Sequence, residues 1–310
     1  MLQMFSKLSH IGYREERYRR ADVNNPLLLG LSTIELNVSE LCNRKCSFCP
    51  RYDESVYPNQ KKFMSTATVD ALVKQLKWCG WYGDVHIAGF GEPHTHPTLL
   101  QIIKILKSYN NLFIEIATNG DRLIDNDIEF TKKLFDAGLD LLTIDCYDGD
   151  AQYYERISTC QVLPEGKYRL SNKPDTANFQ LFQGHPDHKS TEQLIDEFGF
   201  TNRAGIMGKT ETLDRECYLP FYKTLIDWNG NMLLCCNDWH RKGGDFGNIN
   251  KDSIIDAWNS DKMIKKRRRL SEGKRDDVCA TCDIDGKKFG LKSFELHESH
   301  YNYILHKLVD

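Results

Sequence analysis

The sequence predicts an α/β fold with a parallel sheet and outer helices. Segments in which apolar residues alternate with polar ones, such as TIELNVS at 33–39 and LFIEIATNG at 112–120, read as strands. Segments of helical periodicity, such as HPTLLQIIKILKSYNN at 96–111, lie between them. Strands and helices alternate in this way from residue 33 to residue 158, which is the order typical of a parallel sheet.

The composition is that of an ordinary globular protein. The chain has 310 residues, of which 40% are hydrophobic and 27% charged, and its net charge is −3. We therefore expect no global basic field for nucleic acid or anionic lipid. The N-terminal segment lacks the apolar core of a signal peptide, and no run reaches the roughly 18 apolar residues of a membrane helix. These features favour a cytoplasmic protein, in which eleven cysteines indicate metal binding rather than a disulfide framework.

The chain divides into four predicted regions. Residues 1–32 are a polar lead-in, and residues 33–210 carry the strand–helix pattern. Residues 211–290, called the C-terminal module below, begin with two strand-like runs around the hairpin signal Asn229-Gly230. Residues 291–310 hold a C-terminal helix.

Several elements of these regions are predicted less regularly. Residues 161–188 read as a long loop with an edge strand near KYRLS at 167–171. A helix follows at 190–200, and TNRAGI at 201–206 is a candidate last strand. In the C-terminal module, one amphipathic helix is expected to start near Ser253.

The cysteines fall into two groups. Cys42, Cys46 and Cys49 form a C-x3-C-x2-C pattern directly after the first strand. Three thiolates suit an iron–sulfur cluster with one iron left open, and an open position is what catalysis needs. A zinc site completed by a histidine is the alternative, with His94 and His96 close in sequence.

CNRKCSFC resembles the cluster-binding signature of the radical S-adenosylmethionine (SAM) superfamily. The resemblance implies a partial (β/α)6 TIM-like barrel in which SAM fills the open position of a [4Fe–4S] cluster and is cleaved to a 5′-deoxyadenosyl radical. GFGEP at 89–93 is similar to the family's GGEP motif, although Phe90 departs from it, and TNG at 118–120 falls where the family contacts SAM. Arg203 is implied to pair with SAM or with substrate. The residues implied to bind SAM are Phe48, Gly91, Glu92, Thr118, Asn119 and Arg203.

The second group lies in the C-terminal module. Cys217, Cys235, Cys279 and Cys282 make a closed set of four thiolates. Their spacing resembles the SPASM and twitch extensions of radical SAM enzymes, which implies one auxiliary [4Fe–4S] cluster held by a β-hairpin and a helix. A structural zinc site would use the same ligands. Cys236 adjoins Cys235, and strand alternation points the two side chains apart, so Cys236 is left free.

The resemblance implies an oxidoreductase or epimerase that takes a hydrogen atom from a polar, carbohydrate-like substrate. Cys236, Cys160 and Cys146 are the candidate hydrogen donors for an epimerase, and Asp145 faces the same end of the sheet as the SAM residues. The alternatives are a peptide-modifying or an RNA-modifying radical enzyme, or a non-catalytic metal-binding module. A flavodoxin or ferredoxin is the implied electron donor, and the KKRRR run at 265–269 is either its docking surface or an ordinary solvated face.

Overall fold

Seven strands form one sheet in the computed structural model. The structure describes residues 10–46, 48–124, 128–148, 150–172, 201–207, 214–284, 286–287 and 290–307. The sheet order is β5-β4-β3-β2-β1-β6-β7, so the sheet is open rather than closed into a full barrel. The strands are β1 (Thr33–Asn37), β2 (Gly83–Ala88), β3 (Leu112–Thr118), β4 (Leu141–Cys146), β5 (Tyr168–Asn172), β6 (Lys223–Ile226) and β7 (Met232–Leu233).

Six of these strands are parallel. β1 pairs with β2 on one side and with β6 on the other, and β7 is antiparallel to β6. β5 lies at the sheet edge beside β4, as expected for the strand near KYRLS. β6 comes from the C-terminal module, so the sheet continues across the predicted boundary at residue 210.

Helices connect the strands and cover the sheet. Those described are α1 (His10–Arg20), α2 (Thr66–Trp78), α3 (Leu99–Lys107), α4 (Asp121–Ile124), α5 (Ile128–Asp136), α6 (Asp150–Cys160), α7 (Leu219–Tyr222), α8 (Ile254–Trp258), α9 (Asp261–Ser271) and α10 (Leu291–Lys307). No helix among the described residues is long and apolar enough to cross a membrane.

The two faces of the sheet differ in chemistry. One face carries apolar residues such as Ile34, Val85 and Ile114, which pack against the helices in the main core. The other face carries buried polar residues such as Glu35 and Glu115. Strand side chains alternate between faces, so the hydrophobic period that predicted the strands also places polar groups inside the half-barrel.

TNRAGI is not a strand. Residues 203–207 form turns, with positive φ at Arg203 (49°) and Ala204 (56°). Asn202 explains the difference, because its amide Nδ2 donates to the carbonyl of Thr281 (2.6 Å) and its backbone N–H donates to Asp283 (2.9 Å). The segment is therefore anchored to the C-x2-C loop of the C-terminal module instead of the sheet.

Four other predictions need correction or fall partly outside the described residues. The single helix expected from Ser253 is two helices, α8 and α9, because the Ser260 side chain accepts from the Met263 N–H and caps a new helix. Helix α1 lies within the segment expected to be a lead-in. The predicted helix at 190–200 and residues 173–188 of the predicted loop lie outside the described residues.

Candidate functional site

A cavity of about 190 Å³ lies at the carboxyl ends of β1 to β4, and we call it the first cavity. The carboxyl ends of parallel strands in barrel-like folds are where catalytic residues collect. The structure brings ten of the predicted site residues to its lining: Cys42, Cys46, Cys49, Phe48, Gly91, Glu92, Thr118, Asn119, Asp145 and Arg203.

The cysteine loop is clamped to the ends of two other strands by Arg44. Its guanidinium forms ion pairs with Asp121, after β3, and with Asp148, after β4, where Nη2 lies 2.9 Å from Oδ2. Only 8% of the Arg44 side chain is exposed, although the two carboxylates, at 22% and 30%, are partly open to solvent. The clamp fixes the loop above the sheet.

The three thiols are poised for a positively charged partner. Burial, together with the nearby charge of Glu92, raises the pKa of Cys42 to about 12. Burial likewise raises the pKa of Cys46 and Cys49, and the charge of Cys49 adds to the rise at Cys46. Thiolates in this setting need the compensating charge that iron supplies, so the donor set fits a cluster.

Glu92 is held rigidly at the base of the first cavity. Its carboxylate accepts hydrogen bonds from the Thr118 hydroxyl (2.7 Å), the Asn119 N–H (2.9 Å) and the His94 N–H (3.0 Å). The His94 ring lies 3.0 Å from the Thr118 hydroxyl, so this histidine positions the site although it does not line the cavity. Because Glu92 is buried, it is suited to pair with the cationic amine of a ligand.

Gly91 brings the neighbouring loop close to Glu92. A Cβ atom at this position would lie 2.1 Å from the Ser39 carbonyl oxygen and 2.8 Å from that of Leu41. A side chain would therefore displace the backbone that leads into Cys42. The GFGEP motif requires glycine at this position for close approach.

Asp145 faces the first cavity beside an aromatic wall. The Tyr147 hydroxyl donates to Asp145 Oδ2 at 3.0 Å, and the Tyr147 ring packs 5.1 Å from that of Phe48. Burial raises the pKa of Tyr147 well above its usual value, and the charge of Asp145 adds to this. Tyr147 therefore stays protonated and donates to Asp145.

Arg203 provides a cation on the side of the C-terminal module. Its side chain lines the first cavity, and its buried Nε has no hydrogen-bond partner among the described residues. An unpaired buried donor of this kind is satisfied by an anionic or hydroxyl-bearing ligand.

The second cavity is lined by the four cysteines Cys217, Cys235, Cys279 and Cys282. Burial raises the pKa of all four thiols, to about 12 for Cys279 and about 11 for Cys282. Within the described residues, no three His, Cys, Asp or Glu side chains converge as they would on a single metal ion. The thiolates of an iron–sulfur cluster bind separate iron atoms, so four cysteines spread around one cavity fit such a cluster.

Cys236 lines neither of these two cavities. It packs against a group of buried side chains formed by Tyr57, Phe90, Leu225, Leu233 and Trp239. Cys49 packs against the same group, and two of its members, Phe90 and Trp239, line the first cavity. Cys236 therefore lies behind the wall of the first cavity and is not part of its lining.

A buried cluster of charges joins the cysteine loop to the C-terminal module. Arg241 forms ion pairs with Glu40 and with Asp227, whose Oδ2 lies 2.6 Å from Nε. Arg51 pairs with the other oxygen of Glu40 at 3.1 Å, and the Tyr57 hydroxyl donates to that oxygen at 2.9 Å. We call these five residues the ionic junction.

Of the charged and aromatic residues that line the first cavity, four were missed by the sequence analysis, namely Arg44, Arg51, Tyr147 and Trp239. Arg44 and Arg51 lie within or beside the cysteine motif, so their position was a usable signal. Trp239 had none, because it reaches the cavity from a distant part of the chain.

Family models match both parts of the chain. The model of the radical SAM superfamily matches residues 36–161, and that of SPASM, an iron–sulfur cluster-binding domain, matches residues 217–283. The chain therefore carries a radical SAM domain followed by a SPASM domain. The first domain implies a [4Fe–4S] cluster and SAM, and the SPASM domain implies auxiliary iron–sulfur binding.

Two relatives illustrate the range of the similarity. The S-adenosyl-L-methionine-dependent 2-deoxy-scyllo-inosamine dehydrogenase of Niallia circulans is 25% identical over 259 residues, which cover 81% of this chain and 92% of that protein. A probable GTP 3′,8-cyclase of Methanococcus maripaludis is 28% identical over 144 residues, which cover 46% of this chain and 43% of that protein.

Solved structures share the fold. The structure of BtrN in complex with AdoMet and 2-DOIA has a TM-score of 0.65 at 22% identity, covering 84% of this chain and 96% of that one. The structure of anSMEcpe with bound AdoMet has a TM-score of 0.51 at 12% identity, covering 90% of this chain and 98% of that one. The α/β fold with an open, mostly parallel sheet is thus shared with radical SAM enzymes.

Proposed function

We propose that the protein dehydrogenates a carbinol carbon of a polar, carbohydrate-like small molecule. The observation that carries the proposal is the pairing of two cavities, one with Asp145 beside the predicted SAM residues and one lined by four thiols. The match to a cyclitol-amine dehydrogenase over most of both chains supports the substrate class.

The chemistry of the proposal balances with the residues present. SAM and the clusters, when bound, supply a 5′-deoxyadenosyl radical that takes one hydrogen atom and an oxidised auxiliary cluster that takes one electron. Asp145 accepts the hydroxyl proton of the substrate, and Tyr147 orients the carboxylate that does so. Loss of one hydrogen atom, one proton and one electron converts a carbinol into a carbonyl group.

Two sets of contacts divide the first cavity between SAM and substrate. Glu92, fixed by Thr118 and Asn119, is proposed to pair with the SAM ammonium group, and Phe48 to pack beside its adenine. Arg203 is proposed to pair with the SAM carboxylate or with a substrate oxygen. The unpartnered Nε of Arg203 supports a ligand contact at that position.

Epimerisation is the second form of this chemistry, and it would need a thiol that returns a hydrogen atom. Cys236 was one candidate for that role, but it lies outside the lining of the first cavity. Cys146 and Cys160 are fully buried in the main core. These positions favour dehydrogenation, which needs no hydrogen donor.

An acidic flavodoxin or ferredoxin is the proposed electron donor, and a reducing cytoplasm is the proposed location. Only part of the basic run at 265–269 is exposed and could contact such a donor. Lys266 and Arg267 are buried, whereas Lys265, Arg268 and Arg269 are exposed on α9. Replacing Lys265 and Arg268 by alanine should slow reduction by flavodoxin while leaving reduction by dithionite unchanged. Equal rates with flavodoxin would contradict this docking surface.

The test of the function is an anaerobic reconstitution. We expect about eight irons per chain and 5′-deoxyadenosine from SAM and dithionite, and ketone formation from 2-deoxy-scyllo-inosamine as the test compound. Cys42→Ala should lose about four irons and all 5′-deoxyadenosine. Cys282→Ala should lose the auxiliary iron and the ketone but still cleave SAM.

Deuterium separates the two reaction types. With the test compound deuterated at the carbinol carbon, dehydrogenation puts the label into 5′-deoxyadenosine and leaves a ketone. Epimerisation in deuterated water would instead put solvent deuterium into a product of unchanged oxidation state. SAM cleavage with no conversion of the compound would refute the substrate class and leave the radical SAM activity standing.

A further inference from the structure

Trp239 reaches the first cavity from the C-terminal module. It follows β7 in the chain, and it lines the cavity together with Cys49, Phe90 and Arg203. Trp239 is 6% exposed, so almost all of the residue is packed. The cavity is therefore built by both modules, and the part contributed by the second module is aromatic.

The indole ring is fixed by its neighbours. It packs 4.7 Å from the Phe90 ring at 43° and 4.9 Å from the Tyr57 ring at 78°. The Trp239 carbonyl accepts a hydrogen bond from Arg241 Nη1 at 2.8 Å. A ring held on two sides and by its backbone is a rigid surface, which is what specific recognition requires.

The polar edge of the ring makes no hydrogen bond to the described part of the chain. Trp239 is held there through its ring and its carbonyl, and its indole N–H is not one of the fully buried groups left without a partner. The N–H can therefore donate to a ligand in the cavity, as the indole of tryptophan does where one end of the side chain is apolar and the other is polar. The nearby Arg203 Nε is likewise an unpartnered donor on the same cavity. The indole N–H and the unpartnered Nε of Arg203, on a cavity that the Trp239 ring also lines, match a ligand that has both C–H groups and oxygen acceptors.

We propose that Trp239 is a substrate-contacting residue, whose ring packs against the C–H face of a carbohydrate-like ring and whose N–H donates to a substrate oxygen. This inference rests on the proposed function and adds a residue that determines specificity. Arg241 acts behind it as a positioning residue. The side of the cavity formed by Glu92, Thr118 and Asn119 remains for SAM.

The test compares three variants of the reconstituted enzyme. Trp239→Leu removes the aromatic face and the N–H, Trp239→Phe removes only the N–H, and Trp78→Phe is the matched control because Trp78 is 76% exposed on α2. We measure KM and kcat for 2-deoxy-scyllo-inosamine, binding of the same compound to the unreduced SAM-loaded enzyme by equilibrium dialysis, SAM affinity, and iron per chain.

The expected result is graded. Trp239→Leu should raise KM and the dissociation constant of the compound about tenfold or more, with Trp239→Phe between it and the wild type. SAM affinity, iron content and SAM cleavage without substrate should change less than about twofold, because the contact is to substrate. Trp78→Phe should match the wild type throughout.

Three results would overturn the inference. If the wild type converts the compound and Trp239→Leu leaves KM unchanged, Trp239 does not contact substrate. If SAM affinity or iron content falls as much as substrate affinity, the ring belongs to the SAM site or to the scaffold. If the wild type cleaves SAM but neither binds nor converts the compound, the carbohydrate substrate fails and this inference fails with it.

Discussion

Arg241 links the cysteine loop to the C-terminal module through the ionic junction. Its replacement should lower the free energy of unfolding. In Arg241→Met the side chain keeps much of its length but loses every hydrogen bond. Glu40 and Asp227, which are 1% and 0% exposed, would then keep only their other partners. Asn37 still donates to both carboxylates, at 2.6 and 2.7 Å, and Arg51 still pairs with Glu40.

The size of the effect follows from burial. Removing one partner of a buried ion pair costs roughly 3–5 kcal/mol, because the remaining charge cannot be solvated. The Arg241 side chain is 28% exposed, so water can replace part of its contribution, and we expect a value near the lower end. A loss of about 3 kcal/mol lowers the melting temperature of a chain of this size by roughly 6–12 °C.

The assay is thermal unfolding of the reconstituted protein, followed anaerobically by circular dichroism. Arg19→Met is the matched control, because Arg19 is 68% exposed and its pairs with Glu15 and Glu16 lie at the surface. Such surface pairs contribute about 0–1 kcal/mol. Arg241→Lys should fall between the two, since it keeps the charge but loses the fork that donates to four residues, Glu40, Tyr57, Asp227 and Trp239.

A second readout separates positioning from stability. At a temperature where Arg241→Met is fully folded, SAM cleavage should continue, but ketone formed per 5′-deoxyadenosine should fall severalfold as Trp239 loses its anchor. If the melting temperature of Arg241→Met lay within about 2 °C of the Arg19→Met control, the reasoning would be refuted. The loss of a buried ion pair should lower the melting temperature by more than that.

Two further predictions concern a glycine and a histidine. Gly91→Ala should displace the backbone before Cys42, because its Cβ would lie 2.1 Å from the Ser39 carbonyl oxygen. Iron analysis of the reconstituted variant should show the loss of about four irons. A full iron content with normal SAM cleavage would contradict this prediction. Burial lowers the pKa of His297 to about 3, with the charge of Arg267 adding to the effect. As the pH falls below about 6.5, His297 takes up a proton in the unfolded state but not in the folded state. His297 therefore makes the free energy of unfolding fall as the pH drops below about 6.5. In urea titrations between pH 7.5 and 5.5, His297→Gln should weaken that fall, and an unchanged slope would count against the assignment.

Local patterns predicted the half-barrel well. β1 to β4 and their helices follow from short-range periodicity, and the cysteine, GFGEP and TNG motifs lie at strand ends, so topology alone brings them together. The hairpin at Asn229-Gly230 was also predicted correctly, because its turn is encoded by adjacent residues.

Contacts between distant segments were not predictable in the same way. TNRAGI has the composition of a short strand, but Asn202 is bound by the loop at 281–283. Helix α1 looked like a polar arm because its charges seemed to be solvent-facing. Arg17 is in fact 7% exposed and pairs with Asp84 and Glu115, two buried carboxylates of the sheet. The hydrophobic periodicity of one segment carries no information about an ion pair that it forms with a distant segment.

The position of β6 beside β1 has a consequence for how the chain folds. β1 is made early, yet the strand that covers one of its edges arrives about 190 residues later, as the Asn37–Asp227 contact shows. Until then the backbone N–H and C=O groups on that edge of β1 are open to other chains. A nascent chain, or one cut before residue 223, would therefore expose β1 as an unpaired edge of a parallel sheet. Synthesis of this protein should depend on chaperones up to its last third, and truncations that remove the C-terminal module should aggregate rather than yield a soluble core.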